Sequence, residues 1–173
     1  MIKLARIKVG ATVFQDFKKL TVGLKHGTIV VFIKGEELEI TTYRIDGLYS
    51  DGRRPDTVSF TRNLVEDLSR RDYTQNAIFF NESVGIIDPF NGVSDIEHKI
   101  IRCVGDPDKR LKEDALRILR GIRFASNLDF IVEEPTKTAM FNNKELLINI
   151  SKERIAVEFI KMLEGKNVMN TLN

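Results

Sequence analysis

The stretch from Asp106 to Phe130 constrains this chain more than any other. Leu116, Leu119, Ile122 and Phe124 recur at helical spacing, and Asp114, Arg117, Arg120 and Arg123 step along the same side every third residue. At about 100° per residue each step of three falls back by roughly 60°, so a carboxylate and three guanidiniums curl around the predicted helix beside its apolar stripe. Such a row suits something long. Asp114 and Arg117 can meet the hydrogen-bonding edge of a base, which leaves Arg120 and Arg123 for a phosphate tail. Taken alone, the row also fits a solvated face on which Asp114 and Arg117 form an (i, i+3) ion pair of about 0.2–0.5 kcal/mol.

The chain has 173 residues, 42% of them hydrophobic, enough for one domain or two small lobes. Its 27 basic and 25 acidic residues leave a net charge of +2, so nucleic-acid affinity has to come from local clusters such as Arg53–Arg54, Arg70–Arg71 and the arginine row. Cys103 is the single cysteine, which excludes an internal disulfide and a cysteine-based zinc cluster, and reads as a small buried apolar residue. No apolar run approaches the roughly 20 residues of a membrane span, and the N-terminus lacks a signal-peptide core. The expectation is a cytoplasmic protein with no membrane partner.

Taken in order, Met1 to Lys19 is weakly patterned, with Phe14, Phe17 and Leu20 spaced as in a short helix. Thr28 to Ile33 is a β-branched run, Lys34-Gly35-Glu36 a hairpin turn and Leu38 to Tyr43 a second strand. On that strand Glu39 stands out with Thr41 and Tyr43, where a carboxylate can help hold magnesium or simply face solvent. Asp46 to Thr57 reads as a long mobile loop carrying Asp51, Arg53 and Arg54. Arg70 to Ala77 is a polar cluster in which Asp72 and Asn76 share one helical face, fit for a sugar hydroxyl, although capping also explains the aspartate.

Gly85 to Phe90 reads as a strand, Gly92 to Lys99 as a helix and Ile100 to Val104 as a strand. Asp106-Pro107-Asp108 looks like a metal pair, but a carboxylate before proline is what a helix start demands, and it is read as a cap. Further helices start at Glu134-Pro135 and at Ser151-Lys152, the last with Ile155, Phe159 and Leu163 inward. The fold expected is α+β, passing from a strand-rich part to a wholly helical end near residue 106.

These residues have a recognisable order. Gly23-Leu24-Lys25-His26-Gly27-Thr28, Asp51-Gly52-Arg53-Arg54-Pro55-Asp56, Arg70-Arg71-Asp72-Tyr73-Thr74-Gln75-Asn76-Ala77, Glu113-Asp114-Ala115-Leu116-Arg117 and Ser151-Lys152-Glu153-Arg154-Ile155 closely resemble the class II tRNA nucleotidyltransferases and bacterial poly(A) polymerases. The resemblance runs over roughly residues 21 to 164. It implies a polymerase-β-like nucleotidyltransferase head over 1–105 and a helical neck over 106–173 that selects CTP or ATP. By the same matching Asp114 and Arg117 read the base, with Glu113 in their motif. Arg71, Arg120 and Arg123 join them on the nucleotide, and Asp72 and Asn76 check the ribose. Asp51, Arg53 and Arg54 lie on a flexible loop, Glu39 is a head-domain carboxylate near magnesium, and Glu153 with Arg154 braces the neck. The partners implied are ATP, CTP and a tRNA or other RNA 3′ end.

The same family carries a glycine-pair, Arg-Asp motif and an Asp-x-Asp pair for two magnesium ions, and neither precedes Gly23 here. Asp16 is the only acid in that part. The metal set is thus incomplete, with Glu39 its one candidate, and the expectation is a truncated member that cannot transfer nucleotides alone because its main electrostatic catalyst is missing. The other class of reading is a non-catalytic nucleotide or RNA binder or assembly module. An incomplete head sheet is also expected to self-associate through an exposed edge.

Overall fold

In the computed structural model the residues described are 2–4, 14–21, 27–52, 55–165 and 168. They fall into two compact units, Met1–Gly47 with Asp56–Leu68, and Leu48–Pro55 with Ser69–Asn173.

The first unit is built on a four-stranded sheet of order β1-β4-β3-β2, from Ile2–Leu4 (β1), Lys19–Leu20 (β2), Thr28–Ile33 (β3) and Glu36–Thr42 (β4). β3 and β4 form the predicted hairpin, pairing Ile33 with Glu36 across Lys34 (φ 52) and Gly35 (φ 86). Both turn residues are left-handed, the twist that a two-residue hairpin turn requires. Glu36 therefore belongs to the strand. Alternation puts Ile29, Val31 and Ile40 into a core with Phe14 and Ile33, and leaves Glu39 exposed opposite Val30.

The helix expected around Phe14, Phe17 and Leu20 is not formed. Phe14–Asp16 is a turn closed by the Phe17 amide on the Phe14 carbonyl at 3.2 Å, and Leu20 joins β2 opposite Val30. The spacing of three serves an edge-on ring pair, Phe14 against Phe17 with centroids 5.9 Å apart, instead of a helical stripe. The expected loop from Asp46 is the connection of a second hairpin, β5 (Arg44–Asp46) with β6 (Val58–Phe60). Three-residue strands with mixed exposure carry too little periodicity to be read.

In the second unit β7 (Phe79–Asn81) pairs with β8 (Gly85–Ile87), and β9 (Ile100–Ile101) runs parallel to β10 (Ile131–Val132). The helices are α2 (Gly92–Glu97), α3 (Pro107–Glu113), α4 (Leu116–Leu128), α5 (Glu134–Asn143) and α6 (Lys152–Leu163), while α1 (Leu64–Ser69) precedes the polar cluster. Asp106 is the cap of α3, its Oδ1 accepting from the amides of Asp108 and Lys109 at 2.9 and 3.3 Å. The metal-pair reading of Asp106 and Asp108 is not needed. Tyr73, Ile101, Cys103, Leu111, Ile118, Ala125, Ala139 and Met140 form the core.

Three expectations are corrected here. The chain breaks at Asp114, which is extended at φ −150 and ψ 103, so Asp114 precedes the arginine helix and is not part of it. β10 interrupts the end of the chain that was expected to be wholly helical. On α6 the buried residues are Glu158 and Met162, whereas Phe159 and Leu163 are about half exposed, at 45% and 50%. Among the described residues no helix is long and apolar enough to cross a membrane.

Candidate functional site

The arginine row of α4 lies in the second unit, and other segments hold each guanidinium. Arg117 Nη1 donates to Glu113 Oε2 and to the Arg110 carbonyl, both at 2.8 Å, and Nη2 reaches the Arg70 carbonyl at 3.3 Å. Glu113 uses its other oxygen for Arg110 Nη2 at 2.9 Å. Arg120 holds Asp72 Oδ2 through Nε at 2.8 Å and Nη2 at 2.7 Å. Arg123 Nε donates to Glu158 Oε2 at 2.6 Å.

The ion pair expected between Asp114 and Arg117 gives way to two others. Because Asp114 is extended, its Oδ1 accepts from the Leu116 amide at 3.1 Å and its Oδ2 from Arg154 Nη2 at 2.9 Å. The row is not a solvated face either, since the Arg117 side chain is only 10% exposed. Burial is the largest influence and works against the charge of Arg117, but Glu113, Tyr49 and Asp72 together outweigh it and the pKa rises above the ordinary guanidinium value.

Asp72 and Asn76 are brought together, though not on an α-helical face. A 3-10 turn over Thr74–Asn76 lets Asn76 Nδ2 donate to Asp72 Oδ1 at 3.0 Å, beside the Tyr73 amide at 2.9 Å. With Arg120 on the other oxygen, this carboxylate is well supplied with donors. Burial alone would raise its pKa, yet Arg120 and these hydrogen bonds hold it below the usual carboxylate range. Arg71 is lowered by burial, with Asp72 acting in opposition.

Asp72, Glu113, Asp114 and Glu158 thus face Arg71, Arg110, Arg117, Arg120, Arg123 and Arg154, four negative charges against six positive. A guanidinium has five N–H donors, so Arg117 and Arg120 keep donors for an anionic oxygen beyond the bonds they already make. A cleft of about 580 Å³ on another side of α4 is lined by Ile118, Ile122, Phe130, Met140, Phe141 and Leu147, and none of the row lines it.

Glu39 sits in the first unit. Among the described residues no group of three or more His, Cys, Asp or Glu could hold a metal. Asp51 is exposed on the β5–β6 connection. Arg53, Arg54 and Leu24-Lys25-His26 lie outside the described residues. Arg110 belongs to the motif order that carries the resemblance, whereas Glu158 was not singled out from sequence. For Glu158 the signal was available: a glutamate between Ile155 and Met162 occupies the inner side of an amphipathic helix, where only a paired charge is tolerated.

Comparison with known proteins gives a consistent result. Residues 5–102 match the family model described as Poly A polymerase head domain, and residues 129–173 match "Probable RNA and SrmB- binding site of polymerase A". The CCA-adding enzyme of Pediococcus pentosaceus is 50% identical over 165 residues, 95% of this chain and 42% of that protein. That of Geobacillus kaustophilus is 49% identical over 155 residues, 90% of this chain and 38% of that protein. The Bacillus stearothermophilus CCA-adding enzyme in complex with CTP superposes with a TM-score of 0.87 at 42% identity, covering 98% of this chain and 40% of that one. The Thermotoga maritima CCA-adding enzyme complexed with tRNA superposes at 0.76 with 25% identity, covering 98% and 39%. The chain spans about 40% of the length of the relatives it matches.

Proposed function

The chain belongs to the poly(A) polymerase head-domain family, and from that premise we propose that these residues select an incoming CTP or ATP for addition to the 3′ end of a tRNA or similar RNA. The observation that carries the reading is the pair at the α3–α4 break: Asp114 held by Arg154 and Arg117 held by Glu113, an acceptor and a donor fork each fixed from behind. Fixed groups of this kind discriminate base edges without ordering cost on binding. Arg71, Arg120 and Arg123 serve the phosphates, and Asp72 with Asn76 the ribose.

The head extends to residue 105 and the neck begins at 106; the head-family match ending at residue 102 supports this. Asp51 serves nucleotide switching from the connection between β5 and β6, and Glu153 with Arg154 is the brace. Magnesium would serve the transfer step; Glu39 is the carboxylate that the family resemblance assigns to it and does not make a centre alone, so no step is routed through the metal. The 173 residues by themselves bind nucleotide without transferring it, as Asp16 is the only acid before Gly23. The cytoplasm, where nucleoside triphosphates and tRNA meet, is the compartment that fits.

A second copy is the remaining partner. Among the described residues β1 pairs with Ile40–Thr42 of β4, and the preceding stretch of β4 carries Glu36, Glu37 and Glu39. Its three glutamates repel a like edge until salt screens them. Light scattering at micromolar concentration in low and high salt checks this, and a monomer in both rules it out.

The deciding experiment is calorimetric titration of the chain with CTP and ATP in magnesium, repeated with Asp114→Ala and Arg117→Ala. Binding by wild type that both variants lose supports the reading. Absence of heat with either nucleotide sinks it and leaves the assembly-module reading.

A further inference from the structure

Tyr73 is fully buried directly after Asp72, and it crosses beneath the arginine helix. Its hydroxyl donates to the main-chain carbonyl of Arg117 at 2.5 Å, and its ring stands edge-on to Phe124 with centroids 5.9 Å apart. Phe124 in turn lies under two guanidiniums, with Arg123 at 4.1 Å and Arg120 at 5.4 Å from the ring centroid. Between these contacts sits Gly121, where a Cβ would fall 2.3 Å from the Tyr73 hydroxyl. Only a residue without a side chain lets the phenol approach the helix so closely.

All three arginines of the row therefore meet one aromatic pair, Arg117 through its carbonyl and the other two through the Phe124 face. Asp72 and Tyr73, adjacent in sequence, grip α4 twice: the carboxylate on the Arg120 side chain and the phenol on the Arg117 backbone. A bond to a side chain restrains one rotamer. A bond to a helix carbonyl restrains where the helix itself sits along and about its axis, and with it the position of every side chain the helix presents.

We infer that Tyr73 is a positioning residue for base selection: its hydroxyl fixes the placement of α4 against Asp72, and so the placement of Arg117 relative to Asp114 at the base-reading end. This deepens the nucleotide-selecting reading and rests on it. Cytosine and uracil have the same size and differ only in the donors and acceptors of one edge, so the pair that tells them apart depends on sub-ångström placement of a fixed acceptor and a fixed fork. Burial pushes the phenol pKa well above its ordinary value, so the hydroxyl remains a donor throughout the working pH range.

The test is calorimetric titration of the full 173-residue chain with CTP and UTP, for wild type, Tyr73→Phe and Gly121→Ala. Tyr73→Phe keeps the ring and removes only the hydroxyl; Gly121→Ala keeps the hydroxyl and sets a methyl group against it and against Met140 Cε, each 2.3 Å from the added carbon. The expected result is a UTP-to-CTP affinity ratio at least three-fold closer to one in both variants, with CTP still bound. A merely structural role lowers the melting temperature and leaves that ratio alone. A ratio within two-fold of wild type in Tyr73→Phe, with CTP bound, overturns the inference while leaving the nucleotide-selecting reading intact. Wild type binding neither nucleotide overturns that reading and the inference with it.

Discussion

Glu158 Oε2 accepts a hydrogen bond from Arg123 Nε at 2.6 Å, joining α6 to α4 through two side chains that are 7% and 14% exposed. The Glu158 Oε1 oxygen is also 3.9 Å from Arg120 Nη1, so one carboxylate on α6 faces two members of the arginine row. A buried charge of this kind is tolerated because it is matched, and removing one partner strands the other.

Glu158→Ala is therefore expected to cost roughly 2–4 kcal/mol of unfolding free energy, most of it from the stranded Arg123. Denaturant unfolding of Glu158→Ala, Arg123→Ala and the double variant checks it. The double variant should be less destabilised than the sum of the singles; simple additivity would show that the two do not interact.

Asp72 makes stability depend on pH. Its folded pKa lies below the ordinary carboxylate value, so its contribution is present above that value, about 3.9, and is lost as pH falls through the lower folded pKa. Stability should decline between about pH 4 and the folded pKa, and less steeply in Asp72→Asn, which has no carboxylate to protonate. Melting temperatures from pH 7 to pH 3 for both proteins provide the comparison; parallel profiles count against the assignment.

Burial pushes the Cys103 thiol up to about 12, and the residue is 2% exposed. It should resist a disulfide reagent at pH 8 in the folded protein and react fully in denaturant, because only the exposed thiolate attacks. Rapid labelling without denaturant would contradict the packing of the second unit's core.

Leu111 is fully buried in that core, on the helix that ends at the α3–α4 break. Leu111→Ala should destabilise by about 2–5 kcal/mol. A loss below about 1 kcal/mol would mean that α3 packs more loosely than this.

What was legible in the sequence was local chemistry. Lys34-Gly35 fixed a hairpin, Asp106-Pro107 a cap and Glu134-Pro135 a helix start, because each signal needs only neighbouring atoms. The ordered motifs that carry the family were equally readable. The break at Asp114 was not, since neither glycine nor proline marks it; Arg154, forty residues on, holds the carboxylate that accepts from the Leu116 amide. The inward face of α6 was misjudged for the same reason: Arg123 draws Glu158 inward, and Phe159 is left outside. Such choices are made by contacts between distant parts of the chain, to which periodicity within one window is blind.

The parallel pairing of β1 with β4 sets an order in time. The β3–β4 hairpin closes over two residues and can form within about 1–10 microseconds, whereas Ile2 must find Ile40 across the whole intervening chain. Within this sheet β1 is thus placed after the hairpin, since its template, β4, is made some forty residues later in the chain.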